Sequence, residues 1–126
     1  MTNLGIAGIF LFGSRAQGVE RETSDYDFGV IMTDPRTIRE TLVRNAIYDT
    51  LYDIIAKQIK HLRNIDIVFA DTSDLQFRFH IVRDGKLLFL GNERVVGNFL
   101  EKTTEEYADF APYRRLFQQA ILARIP

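Results

Sequence analysis

Residues 12 to 31 read FGSRAQGVERETSDYDFGVI, and the fold turns on the two carboxylates inside that stretch. Asp25 and Asp27 open a run, DYDFGVIM, that otherwise has the composition of a buried strand. Side chains alternate across a strand, so Asp25 and Asp27 share one face, with Tyr26, Phe28 and Val30 on the other. Carboxylates side by side repel, and loss of water makes the repulsion worse. Such a pair is tolerable on a wet face, with one acid protonated, or with a cation between the two. Paired hard oxygens suit Mg²⁺ or Mn²⁺.

Working outward, residues 6 to 12 (IAGIFLF) form an apolar run of strand length. Gly13-Ser14 breaks it, with Ser14 placed to cap a short helical turn that Gly18 ends. A strand, a tight glycine turn and a helix start present backbone N–H groups to an anion. Arg15 is positioned to add charge there. Beyond the second strand, Pro35 can start a helix. Apolar positions from about 37 to 62 recur at steps of three to five, which suits an amphipathic helix, interrupted or whole. Residues 65 to 70 (IDIVFA) make a third strand and 86 to 91 (KLLFLG) a fourth. A short helix over 75 to 82 lies between them, and a helical segment runs from about 93 to the end with a break near Pro112. Interspersed strands and helices place the chain in the α/β or α+β class, a small mixed sheet of about four strands flanked by helices.

A length of 126 residues with 46% hydrophobic content suits one domain with a real core. The expected division is a catalytic core over 6–70 and a C-terminal strand and helices over 74–126. A net charge of −1 supplies no global basic field, so direct nucleic-acid binding is not expected. No cysteine is present, which excludes disulfides and thiolate chemistry. No apolar run approaches the ~20 residues of a membrane span, and the N-terminus lacks signal-peptide features. A cytoplasmic protein with no membrane association is the expectation.

Asp66 is a lone acid among strand-forming apolar residues, costly to bury without a partner. Should its strand lie beside the second, Asp25, Asp27 and Asp66 form a three-carboxylate cluster. Such a cluster can hold two divalent ions ~3.5–4 Å apart for in-line phosphoryl displacement. A triphosphate is the natural anion beside them. Gly13 and Gly18 have the glycine spacing of a Walker A loop, but Val19 stands where the lysine is required.

Gly13-Ser14, ten intervening residues and then Asp25-x-Asp27, with Asp66 on a later strand, resembles the signature of the DNA polymerase beta nucleotidyltransferase superfamily. FGSRAQG…SDYDFGV, the small size and the tail YADFAPYRR (107 to 115) resemble, within it, the minimal nucleotidyltransferases that act as antitoxins beside HEPN-domain RNase toxins. The resemblance implies transfer of AMP from ATP to a tyrosine hydroxyl of the toxin, with release of pyrophosphate and assembly with that toxin. Asp25 and Asp27 would then hold two Mg²⁺ ions. Asp66 would bind the catalytic ion and help deprotonate the hydroxyl. Gly13, Ser14 and Arg15 would grip the triphosphate. Relatives often carry a helix before the first strand; here five residues precede it, which could expose one side of the sheet or leave it for a partner to cover.

Plainer readings stand beside these. Asp25 and Asp27 could be strand-start acids, Asp66 an edge acid and Arg15 a solvated one. Asp71 and Asp74 read as helix caps, and Tyr26 as core or pocket wall. His61 and His80 lie too far apart in sequence to suggest a zinc site. Phe99, Tyr107, Phe110, Tyr113 and Phe117 read mainly as core. Arg78, Arg83, Arg94, Arg114 and Arg115 fit a solvated surface, an acidic partner or nucleotide phosphates equally well. Neutralisation of a toxin by contact alone and nucleotidyl transfer to a small molecule such as an aminoglycoside are the alternative functions.

Overall fold

The computed structural model describes residues 2–12, 26–58 and 65–122. The strands are β1 (Ile6–Phe12), β2 (Tyr26–Met32), β3 (Ile65–Phe69) and β4 (Lys86–Leu90). They form one sheet in the order β3-β2-β1-β4. β1 runs antiparallel to both β2 and β4, whereas β2 and β3 are parallel. A parallel pair needs a crossover, and α1 (Thr41–Gln58) supplies it between β2 and β3. Next come α2 (Leu75–Asp84) and α3 (Glu93–Leu122).

The pleat sorts the apolar side chains onto two faces. Phe28, Val30 and Met32 of β2 join Ile67 and Phe69 of β3 against Ile47, Leu51 and Ile55 of α1. Phe10, Phe12 and Ile31 project the other way and meet Ile81 of α2 and Val96 of α3. Both faces are covered, so the sheet strands read as continuous apolar runs rather than alternating ones. Two glycines let the second helix layer approach. A Cβ at Gly29 would lie 2.7 Å from Ile81 Cδ1, and one at Gly8 2.7 Å from Val96 Cγ2.

The expected helix over 37–62 is interrupted. Pro35–Arg39 forms a 3₁₀ turn capped by Asp34, whose side chain accepts from the Arg36 backbone N–H. Glu40 is extended, and α1 follows. β3 ends at Phe69 because Ala70 begins a 3₁₀ turn, and α2 runs two residues past 82. The break expected near Pro112 does not occur. α3 continues through it to Leu122, forgoing one N–H donor within a thirty-residue ladder. Of the sheet sides, the parts over β1, β2 and β3 are covered by helices. Exposed large apolar residues lie instead on the outer strand β4 (Leu87, Leu88 and Leu90, 42–49% exposed) and on α1 (Leu42, Tyr52 and Ile54). Among the described residues no helix is long and apolar enough to cross a membrane.

Candidate active site

β1 ends, and β2 and β3 begin, at one end of the sheet. There the parallel register pairs Asp27 directly with Asp66, and the antiparallel register pairs Asp27 with Phe12. Residues paired across strands point to the same face, so the two carboxylates stand side by side. Asp27 is half-buried and Asp66 exposed. Their flanking residues Phe28 and Ile67 turn into the α1 core, which fixes the pleat and leaves the acids no choice of face.

Of the six site residues expected from sequence, the structure brings Asp27 and Asp66 together. Gly13, Ser14, Arg15 and Asp25 lie outside the described residues, as do His61 and the helical turn expected after Ser14. Their chain neighbours Phe12 and Tyr26 stand at this same end of the sheet. Tyr26 is half-buried, packs against the α1-side core and stacks on Phe28 at 6.2 Å between ring centroids.

α2 lies over Phe12. Phe77 and His80 both meet its ring edge-on, at 5.1 and 5.9 Å between centroids. His80 is held from its own helix, with Nδ1 3.2 Å from Asp84 Oδ2. Arg83 donates to the same carboxylate oxygen from Nε and Nη2, and holds the Asp84 carboxyl below the usual carboxylate range. In the sequence His80 reads as isolated, with His61 far from it. The readable signal was the four-residue step from His80 to Asp84, which puts both on one helix face.

Asp74 caps α2 as expected, accepting from the Phe77 N–H at 2.8 Å. Asp71 does not cap a helix. Its Oδ2 accepts the Met32 N–H at 2.8 Å and so closes the far end of β2. Burial pushes the Asp71 carboxyl up from its ordinary value, and that hydrogen bond opposes the shift.

Two aspartates in cross-strand register, one of them exposed, are a hard-oxygen donor pair that fits Mg²⁺ or Mn²⁺. Among the described residues no three His, Cys, Asp or Glu side chains gather, the expected third acid, Asp25, being outside them.

The family model described as "Polymerase beta, Nucleotidyltransferase" matches residues 1–94. No curated protein matches the sequence. Several solved structures share the fold. A toxin–antitoxin structure with AMP-PNP aligns at TM-score 0.70 and 23% identity, over 94% of this chain and 87% of that one. A tri-AMPylated Shewanella oneidensis HEPN toxin in complex with MNT antitoxin aligns at TM-score 0.65 and 19% identity, over 97% and 89%. A MntA–HepT toxin–antitoxin structure aligns at TM-score 0.63 and 20% identity, over 94% and 85%.

Proposed function

The chain belongs to the polymerase beta nucleotidyltransferase family, and from that membership we propose that it transfers AMP from ATP to a tyrosine hydroxyl of a HEPN RNase toxin and thereby silences it. The observation that carries the reading is the direct register of Asp27 with Asp66. Like charges opposed across strands are unfavourable, and a pure contact protein has no use for them. Supporting it are the shared fold with one toxin–antitoxin structure holding AMP-PNP and with another whose toxin is tri-AMPylated.

In this reading the tyrosine oxygen attacks the α-phosphorus of ATP. An O–P bond forms, the bond to the β-phosphate bridging oxygen breaks, and pyrophosphate leaves. Asp66 takes up the phenolic proton; an unperturbed tyrosine pKa of ~10 makes that help necessary at neutral pH. Gly13 and Ser14 hold the triphosphate through backbone N–H groups, and Arg15 adds charge. Asp25, Asp27 and Asp66 would hold two Mg²⁺ ions, which supply neutralisation of the phosphate charge and acidify the hydroxyl. The toxin is both substrate and partner in a hetero-oligomer of the cytoplasm.

The test is the intact mass of a HEPN partner after incubation with this protein, ATP and Mg²⁺, beside Asp27→Asn and Asp66→Asn controls. The expected result is a mass gain in whole AMP units that both substitutions reduce by at least about a hundredfold. Unmodified toxin that is nevertheless bound and inhibited would overturn the transfer reading in favour of contact. Modification of an aminoglycoside but not of the toxin would move the acceptor to a small molecule.

A further inference from the structure

We infer that a second cleft, at the opposite end of β2 from Asp27, binds a small amphiphilic oxyanion: a carboxylate or phosphate ester carrying an apolar body. The cleft has a volume of about 230 Å³. It lies among the end of β2, the 3₁₀ turn Ala70–Thr72, α2 and α3. Met32 on its wall is five strand positions from Asp27, about 17 Å along β2. It is therefore separate from the carboxylate pair. Its volume falls below the roughly 300–1,000 Å³ of drug-sized sites, so the ligand is a small metabolite.

Two buried polar atoms single this cleft out. Thr103, on its wall, is 1% exposed, yet among the described residues its Oγ1 has no hydrogen-bond partner. This is not the habit of the helical threonines here. Thr50 and Thr104 donate to the carbonyls of Ala46 and Leu100 at 2.9 and 2.7 Å. The second atom is Arg78 Nε, also buried and also without a partner among the described residues. Buried donors are nearly always satisfied in native proteins, and here both belong to residues lining one cleft.

The outer cations are only loosely engaged. Glu106 spans Arg78 Nη2 at 3.3 Å and Lys102 Nζ at 3.8 Å, with its side chain 37% exposed. A ligand oxyanion would draw on the same guanidinium and ammonium, with the Thr103 hydroxyl and Arg78 Nε–H as inner donors. Glu106 is then a competitor for the head group. Asp71 also lines the cleft; its Oδ2 accepts the Met32 N–H, and the Arg78 charge acts on it. Val95 and Phe99 line the remaining wall and suit the apolar body.

Val95 lines the cleft, so a ¹³C-methyl-valine sample carries a reporter there. Phenyl phosphate, benzoate and inorganic phosphate are titrated in turn, each without AMP-PNP and then with AMP-PNP in excess to occupy the nucleotide site. The expected result is a saturable shift of the Val95 methyls with phenyl phosphate or benzoate, and a weaker response to phosphate alone. Which of the first two binds tighter identifies the head group. Thr103→Val keeps the side-chain shape, so the fold persists while affinity falls about tenfold. Glu106→Gln raises affinity by a similar factor. No shift from any probe at millimolar concentration overturns the inference. So does a shift that is lost with AMP-PNP present, or one that Thr103→Val leaves unchanged.

Discussion

Asp66 opposes Asp27 across the strand pair. Opposed like charges weaken a sheet by up to about 1 kcal/mol. Asp66→Asn removes one charge at an exposed position while keeping the side-chain size. The variant is expected to melt about 2–3 °C higher than the parent in metal-free buffer. Mg²⁺ should reverse the order. A ligand bound only by the folded state stabilises by RT ln(1 + [L]/Kd), so thermal shifts with Mg²⁺ should be clear for the parent and slight for Asp66→Asn. Equal shifts in both would remove Asp66 from the ion site. At this scale the sequence was legible where chemistry conflicts with surroundings. An acid inside IDIVF is conspicuous, as is DYD before FGVIM. Asp71 was misread because its partner, the Met32 N–H, is thirty-nine residues away, beyond any local pattern.

β2 and β3 show what an element adds to its residues. A slip of one residue in their parallel pairing would send Asp66 to the α1 face and Ile67 outward. The hydrophobic pattern therefore aligns the carboxylates, and the apolar residues act on the site through the register. Gly29 works similarly on the other face, where α2 lies so near that Ile81 occupies the space of a Cβ. Gly29→Val is expected to cost about 1–3 kcal/mol, read as a lowered denaturant midpoint at unchanged slope. Ile81→Ala in the same chain should relieve part of the strain, leaving a double variant less unstable than the summed single effects. Strand β1 was legible to the residue because an unbroken apolar run bounded by glycine admits few readings. Pro112 was not, because a proline's local cost says nothing of what a long helix supplies around it.

Across the whole molecule one sheet separates two cores, Leu51 at the centre of one and Ile81 of the other, both fully buried. Leu51→Ala and Ile81→Ala should each lose about 2–5 kcal/mol. They lie on opposite faces without shared neighbours, so their effects should add. Unfolding should remain a single transition, because both cores rest on the same four strands. Separate transitions in calorimetry would show that the layers melt independently. Mixed α and β content with a four-stranded sheet was readable from element order. The strand order was not, because local signals do not say which edge β4 joins. That edge has a further consequence. Among the described residues β4 borders the sheet, and Leu87, Leu88 and Leu90 lie exposed along it. A rim of free amides and carbonyls beside leucines is a template for a strand from another molecule. Lys86 is the one charged residue within β4 to discourage it. The sealed interior thus sets how the chain folds, while this margin sets how concentrated a solution of it stays clear.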